Sequence, residues 1–431
     1  MRFPNFAVAQ ALGLALAAIA LPTLAQVPGS RAPLNLTLAE ALRLAEAGHP
    51  ALLGREAQLA AAEGLRREAA SRFFNNPELS TEQTRRRAAP PDGSRHEWSI
   101  GVAQPIETGG QLAWGREAAT AGLDALRAEI DDARRQARAD AAARFHAVLA
   151  AQARVQIEQR SVELFDSTAQ AVAKRRSAGE DTRLDANVAL IEAERARNAL
   201  AVSQEHLQDA KAELATVLQL PPSAVPEVIG ELGVPSGAPL PYALDQLLSS
   251  AQSLPRQRAL AAREDAARAR VGVERASRFS DVTVGLNVGR EGGGDGRERV
   301  TTLSLSVPLP LFKRNDAAIG QALGEATQAE IERAAATRDG PARVRRLWSR
   351  LDSQRERVAR LQRAMLATAT DNQQLAAKSR QAGQIGLLDQ LLVNRQALDA
   401  ERDLNDALAE FHTTRIELEN AAGWSQEGTA R

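Results

Sequence analysis

Apolar residues recur every three or four positions along most of this chain, which is the spacing of an amphipathic helix. This period predicts a helix over residues 36–72 and a much longer one over residues 112–177. The same order returns later in the chain, with helices over 242–278 and 316–381. After each long helix come a short turn and a further helix of about 40 residues. At about 1.5 Å per residue, each long helix would extend about 100 Å, so a rod-like helical bundle is predicted.

Between the helices of each half the period changes to two, which predicts two β-hairpins. Apolar residues alternate with small or polar ones in "DVTVGLNVG" and "TTLSLSVPL", and again over residues 98–103. The remaining stretch, "PELSTEQTR", alternates less clearly. A half-buried hairpin of a soluble domain would read the same way, but it would need an apolar partner surface that this alanine-rich chain does not offer. Lipid is the favoured partner, and because four strands cannot close a barrel, this interpretation requires several copies of the chain.

The halves are related in sequence as well as in pattern. "KRRSAGEDTRLD" at residues 174–185 returns as "KSRQAGQIGLLD" at 378–389, 204 residues later. The same offset holds without a gap from residues 170–214 to residues 374–418. We therefore predict a tandem duplication, with repeats at 26–220 and 242–424. The proline- and glycine-rich segment 221–241 is predicted to link them, and residues 425–431 to form a tail.

Composition narrows the class of protein further. Hydrophobic residues make up 44% of the chain but aromatic residues only 3%, which suits long helices packed on small side chains rather than a thick globular core. The formal net charge is zero, so no overall field favours nucleic acid. Cysteine is absent, which excludes disulfides and thiolate metal sites. One irregularity is expected at Asp339-Gly340-Pro341, where proline should kink the second long helix or cause a local bulge.

The first 25 residues have the features of a secretory signal peptide cleaved after Ala25. A membrane anchor is the alternative, but the apolar run is shorter than the roughly 20 residues that a bilayer requires. No phosphate-binding glycine loop, HExxH motif or catalytic triad spacing is present, so neither an enzyme nor a cofactor is predicted. The five histidines are scattered, and a surface or packing role is favoured over metal ligation for each.

Taken together, the duplication, the hairpins and the helix lengths resemble the TolC family of outer-membrane efflux proteins over essentially the whole mature chain. The segments "QPIETGGQLAWGREAA" and "VPLPLFKRNDAAIGQA" are similar to those of the heavy-metal branch of that family. The resemblance implies a mainly α fold with a β-barrel portion: a trimeric α-helical barrel in the periplasm below a shared twelve-stranded outer-membrane barrel, with four strands from each protomer. It implies passive export through an exit duct that serves an inner-membrane RND transporter and a periplasmic membrane-fusion adaptor, with outer-membrane lipid as a further partner.

Within the family, the repeated turns form the periplasmic tip, which docks the adaptor and closes the duct at rest. The resemblance therefore assigns tip turns and adaptor docking to six residues: Ala178, Gly179, Leu184, Ala382, Gly383 and Leu388. It places Asp185 and Asp389 around the aperture, with Arg176 and Arg380 as nearby counter-charges. Either aspartate could instead simply cap its helix, and both roles are compatible. The first tip is the more acidic, so we expect gating charge there and adaptor packing on the second tip.

One alternative function remains at this point. A soluble periplasmic coiled-coil protein, such as an adaptor or scaffold, would share the long helices. The amphipathic hairpin in both halves argues against it, and so does the lack of a lipoyl-like segment between two helices.

Overall fold

The computed structural model describes residues 34–71, 73, 75–87, 94–221, 224–233, 240–291, 298–309, 311–312 and 314–424. The predicted signal peptide and C-terminal tail lie outside these residues. In the first half, a short strand and three helices precede a hairpin, and a long helix and its returning helix follow. These elements are β1 (Leu34–Leu36), α1 (Leu38–Gly48), α2 (Pro50–Ala57), α3 (Leu59–Ala69), β2 (Glu78–Arg87), β3 (Ser94–Ile106), α4 (Gln111–Ser177) and α5 (Arg183–Val217).

The second half repeats this order. Its elements are β4 (Pro226–Val228), α6 (Leu244–Gln252), α7 (Pro255–Ala276), β5 (Val282–Glu291), β6 (Glu298–Ser306), α8 (Asp316–Arg360), α9 (Ala367–Gln381) and α10 (Leu387–Ala422). A π-helical turn, Leu361–Leu366, joins α8 to α9. Within the described residues, no helix combines the length and the apolar character that a membrane crossing needs.

The first helix of each half is shorter and more divided than the pattern predicts. Three helices, α1 to α3, occupy the stretch 36–72: Pro50 starts α2 after the extended residue His49, and a second break falls at Gln58. In the second half Pro255 likewise begins α7 after Leu254. Hydrophobic periodicity continues across such a break, so periodicity alone does not reveal it.

Of the kink or local bulge expected at Asp339-Gly340-Pro341, the bulge is absent, because α8 runs through Pro341 as α-helix. The departure from regular helix lies about 20 residues further on, in the π-helical turn, where no proline or glycine is present. The predicted linker also contains a strand that sequence reasoning missed. This strand, β4, pairs in parallel with β1, and Glu227 within it accepts a hydrogen bond from Lys211 Nζ of α5 at 2.7 Å.

The four longer strands form one antiparallel sheet in the order β2-β3-β5-β6. One cross-strand row consists of Leu79, Val102, Leu286 and Leu303, which are 76%, 49%, 51% and 76% exposed. The neighbouring row on the opposite face holds Ser80, Gly101, Asn287 and Thr302. The sheet therefore has an apolar face open to its surroundings and a polar face of small side chains. Neither β2 nor β6 has a second strand partner among the described residues.

The helices bury narrow stripes against one another rather than one thick core. Helix α4 packs on α5, with which it forms the first helical hairpin. It also packs on α7 nearer the sheet and on α10 nearer the turns. Close to the turns, the core contains Phe165 and Val172 of α4, Ala193 of α5, and Leu391 and Leu398 of α10. The two helical hairpins, α4–α5 and α9–α10, are thereby held side by side, and their turns lie at the same end of the molecule.

Candidate functional site at the hairpin tips

The first tip is a tight turn between α4 and α5, built on a left-handed glycine. Gly179 has φ 81°, a conformation that costs a side-chain-bearing residue about 1–2 kcal/mol. The amide of Gly179 donates to the carbonyl of Arg176 at 3.0 Å, and the amide of Glu180 donates to that of Arg175 at 2.9 Å. These two bonds form a Schellman motif, which satisfies the last carbonyls of α4.

The second tip repeats this geometry at the predicted offset. Gly383 has φ 71°, and its amide donates to the carbonyl of Arg380 at 3.1 Å. The amide of Gln384 donates to the carbonyl of Ser379 at 2.8 Å. Ala178 and Ala382 are the last right-handed residues before the two glycines. The duplicated "AG" in the sequence is therefore the physical signature of two equivalent helix ends.

Asp185 caps the start of α5. Its carboxylate accepts from the amide of Thr182 at 3.0 Å and from the Thr182 hydroxyl at 2.6 Å, while its own amide donates to that hydroxyl at 3.1 Å. The hydrogen bonds from the Thr182 side chain and amide hold the pKa of Asp185 below its usual value, and the positive charge of Arg380 acts in the same direction. Asp185 is therefore ionised throughout the neutral range. Asp389 is bound more simply, by the amide of Gly386 at 3.2 Å.

Asp181, one of the residues that make the first tip the more acidic, has a buried carboxylate that joins the two tips. The Asp181 side chain is only 5% exposed, and Arg380 Nη2 donates to its two oxygens at 2.8 and 3.0 Å. Arg175 Nε lies 3.2 Å from the same carboxylate. Arg380 also donates to the carbonyl of Ile385 in its own turn at 3.4 Å. One arginine of the second repeat thus connects both turns through a carboxylate of the first.

The predicted counter-charges therefore behave differently from each other. Arg380 is a counter-charge, but its direct partner is Asp181, and it reaches Asp185 only through its field. Arg176 is exposed, and within the described part of the chain it has no ion-pair partner; Arg175 takes that role instead. The sequence did contain one indication that Asp181 is special. At the repeat offset its counterpart is Ile385, so the two tips differ in charge at this position.

Exposed leucines surround the two turns. Leu184 and Leu388 are 71% and 67% exposed, whereas Leu387 and Leu391, on the same helix as Leu388, are buried in the core. Leu392, one turn beyond Leu388, is exposed as well. Both predicted docking leucines therefore present apolar surface to the surroundings of the single chain.

Further from the tips, two more buried carboxylates of the first repeat are bound by arginines of the second. Glu192 accepts from Arg395 Nε at 2.9 Å, and Glu158 accepts from Arg402 Nε at 3.0 Å. Their side chains are 7% and 1% exposed. Arg195 also binds Glu192, and Arg154 binds Glu158, so each carboxylate has two arginines. Such pairs cost desolvation energy to form, but they are expensive to break once formed.

A helical body with paired tips, topped by a four-stranded sheet whose exposed face is apolar, defines the protomer of an outer-membrane channel. Comparison with known families agrees with this class. The family described as "Outer membrane efflux protein" matches residues 41–218 and again residues 243–424. The chain belongs to this family.

Individual relatives point the same way. The chain is 29% identical to the cobalt-zinc-cadmium resistance protein CzcC of Cupriavidus metallidurans over 407 residues, which is 94% of this chain and 90% of that protein. Among solved structures, the outer membrane protein VceC of Vibrio cholerae aligns with a TM-score of 0.74 at 20% identity, covering 90% of this chain and 96% of VceC. CusC aligns with a TM-score of 0.75 at 17% identity, covering 94% and 96% of the two chains.

These comparisons confirm the resemblance to the TolC family and the predicted fold class. They identify the chain as an outer-membrane efflux protein, in a family and among relatives that are channels rather than enzymes.

Proposed function

We propose that this protein is the exit duct of a tripartite RND-type efflux system, passively conducting heavy-metal cations from the periplasm or the pump to the exterior. In this proposal three copies share a twelve-stranded barrel in the outer membrane, and their helices form a tunnel in the periplasm. The observation that carries the duct is the sheet, whose apolar face and two unpaired edges suit lipid on one side and strands of further copies at each end. The first 25 residues would be removed on export.

The hairpin tips would form the periplasmic mouth. Leu184 and Leu388 offer exposed apolar surface on which a membrane-fusion adaptor can pack, next to the rigid turns at Gly179 and Gly383. Each turn is held by the Schellman bonds of its helix end, so the surface is preformed. The inner-membrane RND transporter would supply the energy, since the family is one of channels.

The aspartates of the tips would set the charge at the aperture. In a trimer Asp185 and Asp389 place six carboxylates near one axis, and Asp185 is held ionised by its bonds to Thr182. Such a ring attracts cations, as rings of carboxylates do in cation channels. Metal cargo is supported by the similarity to a cobalt-zinc-cadmium resistance protein.

Bilayer recordings on purified trimers test the aperture. We expect Asp185→Asn with Asp389→Asn, which removes charge but keeps an oxygen for the helix cap, to lower the selectivity for cations and to change the closed-state current. Thr182→Ala is the matched control, because it weakens the same cap while leaving both carboxylates in place. If the Thr182 variant changed the current and the aspartate variant did not, the two aspartates would be caps and not part of the aperture.

Metal tolerance tests the cargo. A deletion strain should become more sensitive to at least one of zinc, cobalt and cadmium, and the wild-type gene should restore tolerance. Unchanged tolerance to these metals together with increased sensitivity to organic compounds would contradict a metal cargo but retain the duct. A mature chain recovered in the soluble periplasmic fraction without detergent would instead favour the adaptor or scaffold alternative.

A further inference from the structure

Two imidazole rings join the two repeats in the middle of the helical body. His146 of α4 and His412 of α10 are stacked, with ring centroids 4.8 Å apart and an angle of 25° between the ring planes. The phenylalanine that precedes each histidine meets its ring edge-on, at 5.9 and 5.6 Å. We call the two imidazoles the histidine stack. The internal repeat does not duplicate it, because the offset of 204 residues places Arg350 and Gln208 at the corresponding positions.

The surroundings of the histidine stack suit neutral rings. His412 is only 4% exposed, and within the part of the chain that the structure describes neither its Nδ1 nor its Nε2 has a hydrogen-bond partner of regular geometry. The backbone of Gly233 acts on this ring only weakly. The other ring, that of His146, is tied through Nδ1 to the carbonyl of Ala142 at 2.8 Å. Charging either ring would therefore place a cation in a buried site without a counter-ion, which is costly.

The charged groups around the histidine stack also oppose protonation. Burial lowers the pKa of both imidazoles, that of His412 to about 3, and the positive charge of Arg415 on α10 acts in the same direction. Glu419, one turn further along α10, lies 3.5 Å from Arg415 Nε and accepts a hydrogen bond from the Tyr242 hydroxyl at 3.2 Å. Among the described residues, no carboxylate acts on the pKa of either imidazole.

Charged side chains on the neighbouring elements have partners elsewhere. On α4, Arg144 is paired with Glu213 of α5, and on α8, which also packs against α10, Arg357 is paired with Glu410. The segment that precedes Gly233 contributes Glu231, which lines a cavity between α4 and α10. The contact between the repeats at this level therefore depends on two rings that both have to remain neutral.

We propose that the histidine stack is a pH-sensitive switch, which holds α10 against α4 while both rings are neutral and releases this contact when the rings take up protons. The switch lies within one chain and in its helical body, so it goes beyond the proposed duct and does not depend on how copies assemble. Where α10 separates locally from α4, water reaches both rings, and each becomes an ordinary imidazole with a pKa of about 6.5. A fall in pH below this value therefore favours the separated form.

The size of the effect follows from proton linkage. Local opening is coupled to proton uptake below about pH 6.5, where a hydrated ring binds a proton and a stacked ring does not. Between pH 7.5 and 5.5 the equilibrium constant for opening should therefore rise by up to about tenfold for each imidazole, and by up to about a hundredfold for the pair. Above pH 7.5 hydrated and stacked rings are both neutral, so opening should not depend on pH.

Hydrogen exchange of the full mature chain in detergent tests the switch. Exchange of the amides around His412 and His146 is measured at pH 7.5, 6.5 and 5.5 and divided by the intrinsic chemical rate at each pH, which leaves the equilibrium constant for opening. We expect this constant to rise about ten- to a hundredfold between pH 7.5 and 5.5 in these parts of α10 and α4. In α7, which contains no histidine, it should stay unchanged.

Variants identify the groups that take up the protons. His146→Leu with His412→Leu removes both protonation sites and should abolish the rise at low pH. His206→Gln is the matched control: this histidine of α5 is exposed, so its loss should leave the rise unchanged. If wild type and the double variant responded alike to pH, or if opening of α7 rose together with that of α10, the proposal would fail.

Carbon-13 NMR of wild-type protein labelled in histidine tests the same point without altering the stack. The ring signal of exposed His206, assigned by its loss in His206→Gln, should titrate near pH 6.5. At least two of the five histidine signals, those of His146 and His412, should remain neutral down to pH 5.5. If all five titrated near pH 6.5, opening would take up no additional proton at the stack, and the switch would be ruled out whatever the outcome for the double variant.

Discussion

The buried carboxylate of Glu158 should be coupled energetically to Arg402 across the two repeats. Glu158 is 1% exposed, and it binds Arg154 Nε at 2.8 Å as well as Arg402 Nε at 3.0 Å and Nη2 at 2.5 Å. The informative perturbations are Arg402→Gln, Glu158→Gln and the double variant. Arg402→Gln leaves a buried charge with one of its two arginines, whereas the double variant leaves no buried carboxylate.

The magnitude follows from burial and from the partner that remains. Removing one member of a buried ion pair costs about 3–5 kcal/mol, and because Arg154 stays in place we expect the lower end, roughly 3 kcal/mol, for Arg402→Gln. The double variant should cost less than the sum of the single variants, with a coupling energy of about 1–3 kcal/mol. Arg197→Gln is the exposed control: its pair with Asp166 is open to solvent, and its loss should cost less than about 1 kcal/mol.

The assay is denaturant unfolding of purified protein in detergent at one fixed chain concentration, because assembly makes apparent stability depend on concentration. Wild type, the two single variants and the double variant should be compared by both the midpoint and the slope of their unfolding curves. If the summed costs of the two single variants matched the cost of the double variant to within about 0.5 kcal/mol, Glu158 and Arg402 would act independently. The ion pair between the two repeats would then not contribute as described.

Three further predictions concern acid stability and the tips. Burial lowers the pKa of His412 to about 3, whereas its pKa in the unfolded chain is about 6.5. Between these values only the unfolded chain takes up the proton, so stability is lost as the pH falls from about 6.5 towards 3. His412→Leu should therefore flatten the decline of the unfolding midpoint between about pH 7 and 5, and an unchanged slope would contradict this. Thr182→Ala should cost about 1 kcal/mol of cap energy and speed protease cleavage at the first tip, because Asp185 loses its hydroxyl partner; equal cleavage rates would oppose this. Gly383→Ala should destabilise the second tip by about 1–2 kcal/mol, because φ is 71° at this position. Gly386→Ala is the control and should be tolerated, since φ there is −77°. Hydrogen exchange of the turn amides should be faster in the Gly383 variant than in the Gly386 variant.

The sequence predicted the equivalent turns correctly but not the contacts between them. Gly179 and Gly383 could be predicted because a left-handed helix end has a local signature in two or three residues. Arg176 was expected near a carboxylate because it lies close to the turn in sequence. Which arginine faces inward, however, depends on the rotation of each helix about its axis, and here Arg175 and Arg380 face the buried carboxylate.

The sequence by itself determined the order of elements, the duplication, the hairpins and the turns, because each depends on a period or on a short motif. Only the tertiary structure decided that Asp181 is the carboxylate joining the tips, since its partner lies 199 positions away along the chain. It also decided that proline at position 341 sits within an unbroken helix, while the helix departs from α geometry only at the π-helical turn. Local sequence patterns indicate the secondary structure of each segment. The packing of helices against one another determines which side chains are in contact and where a helix departs from α geometry.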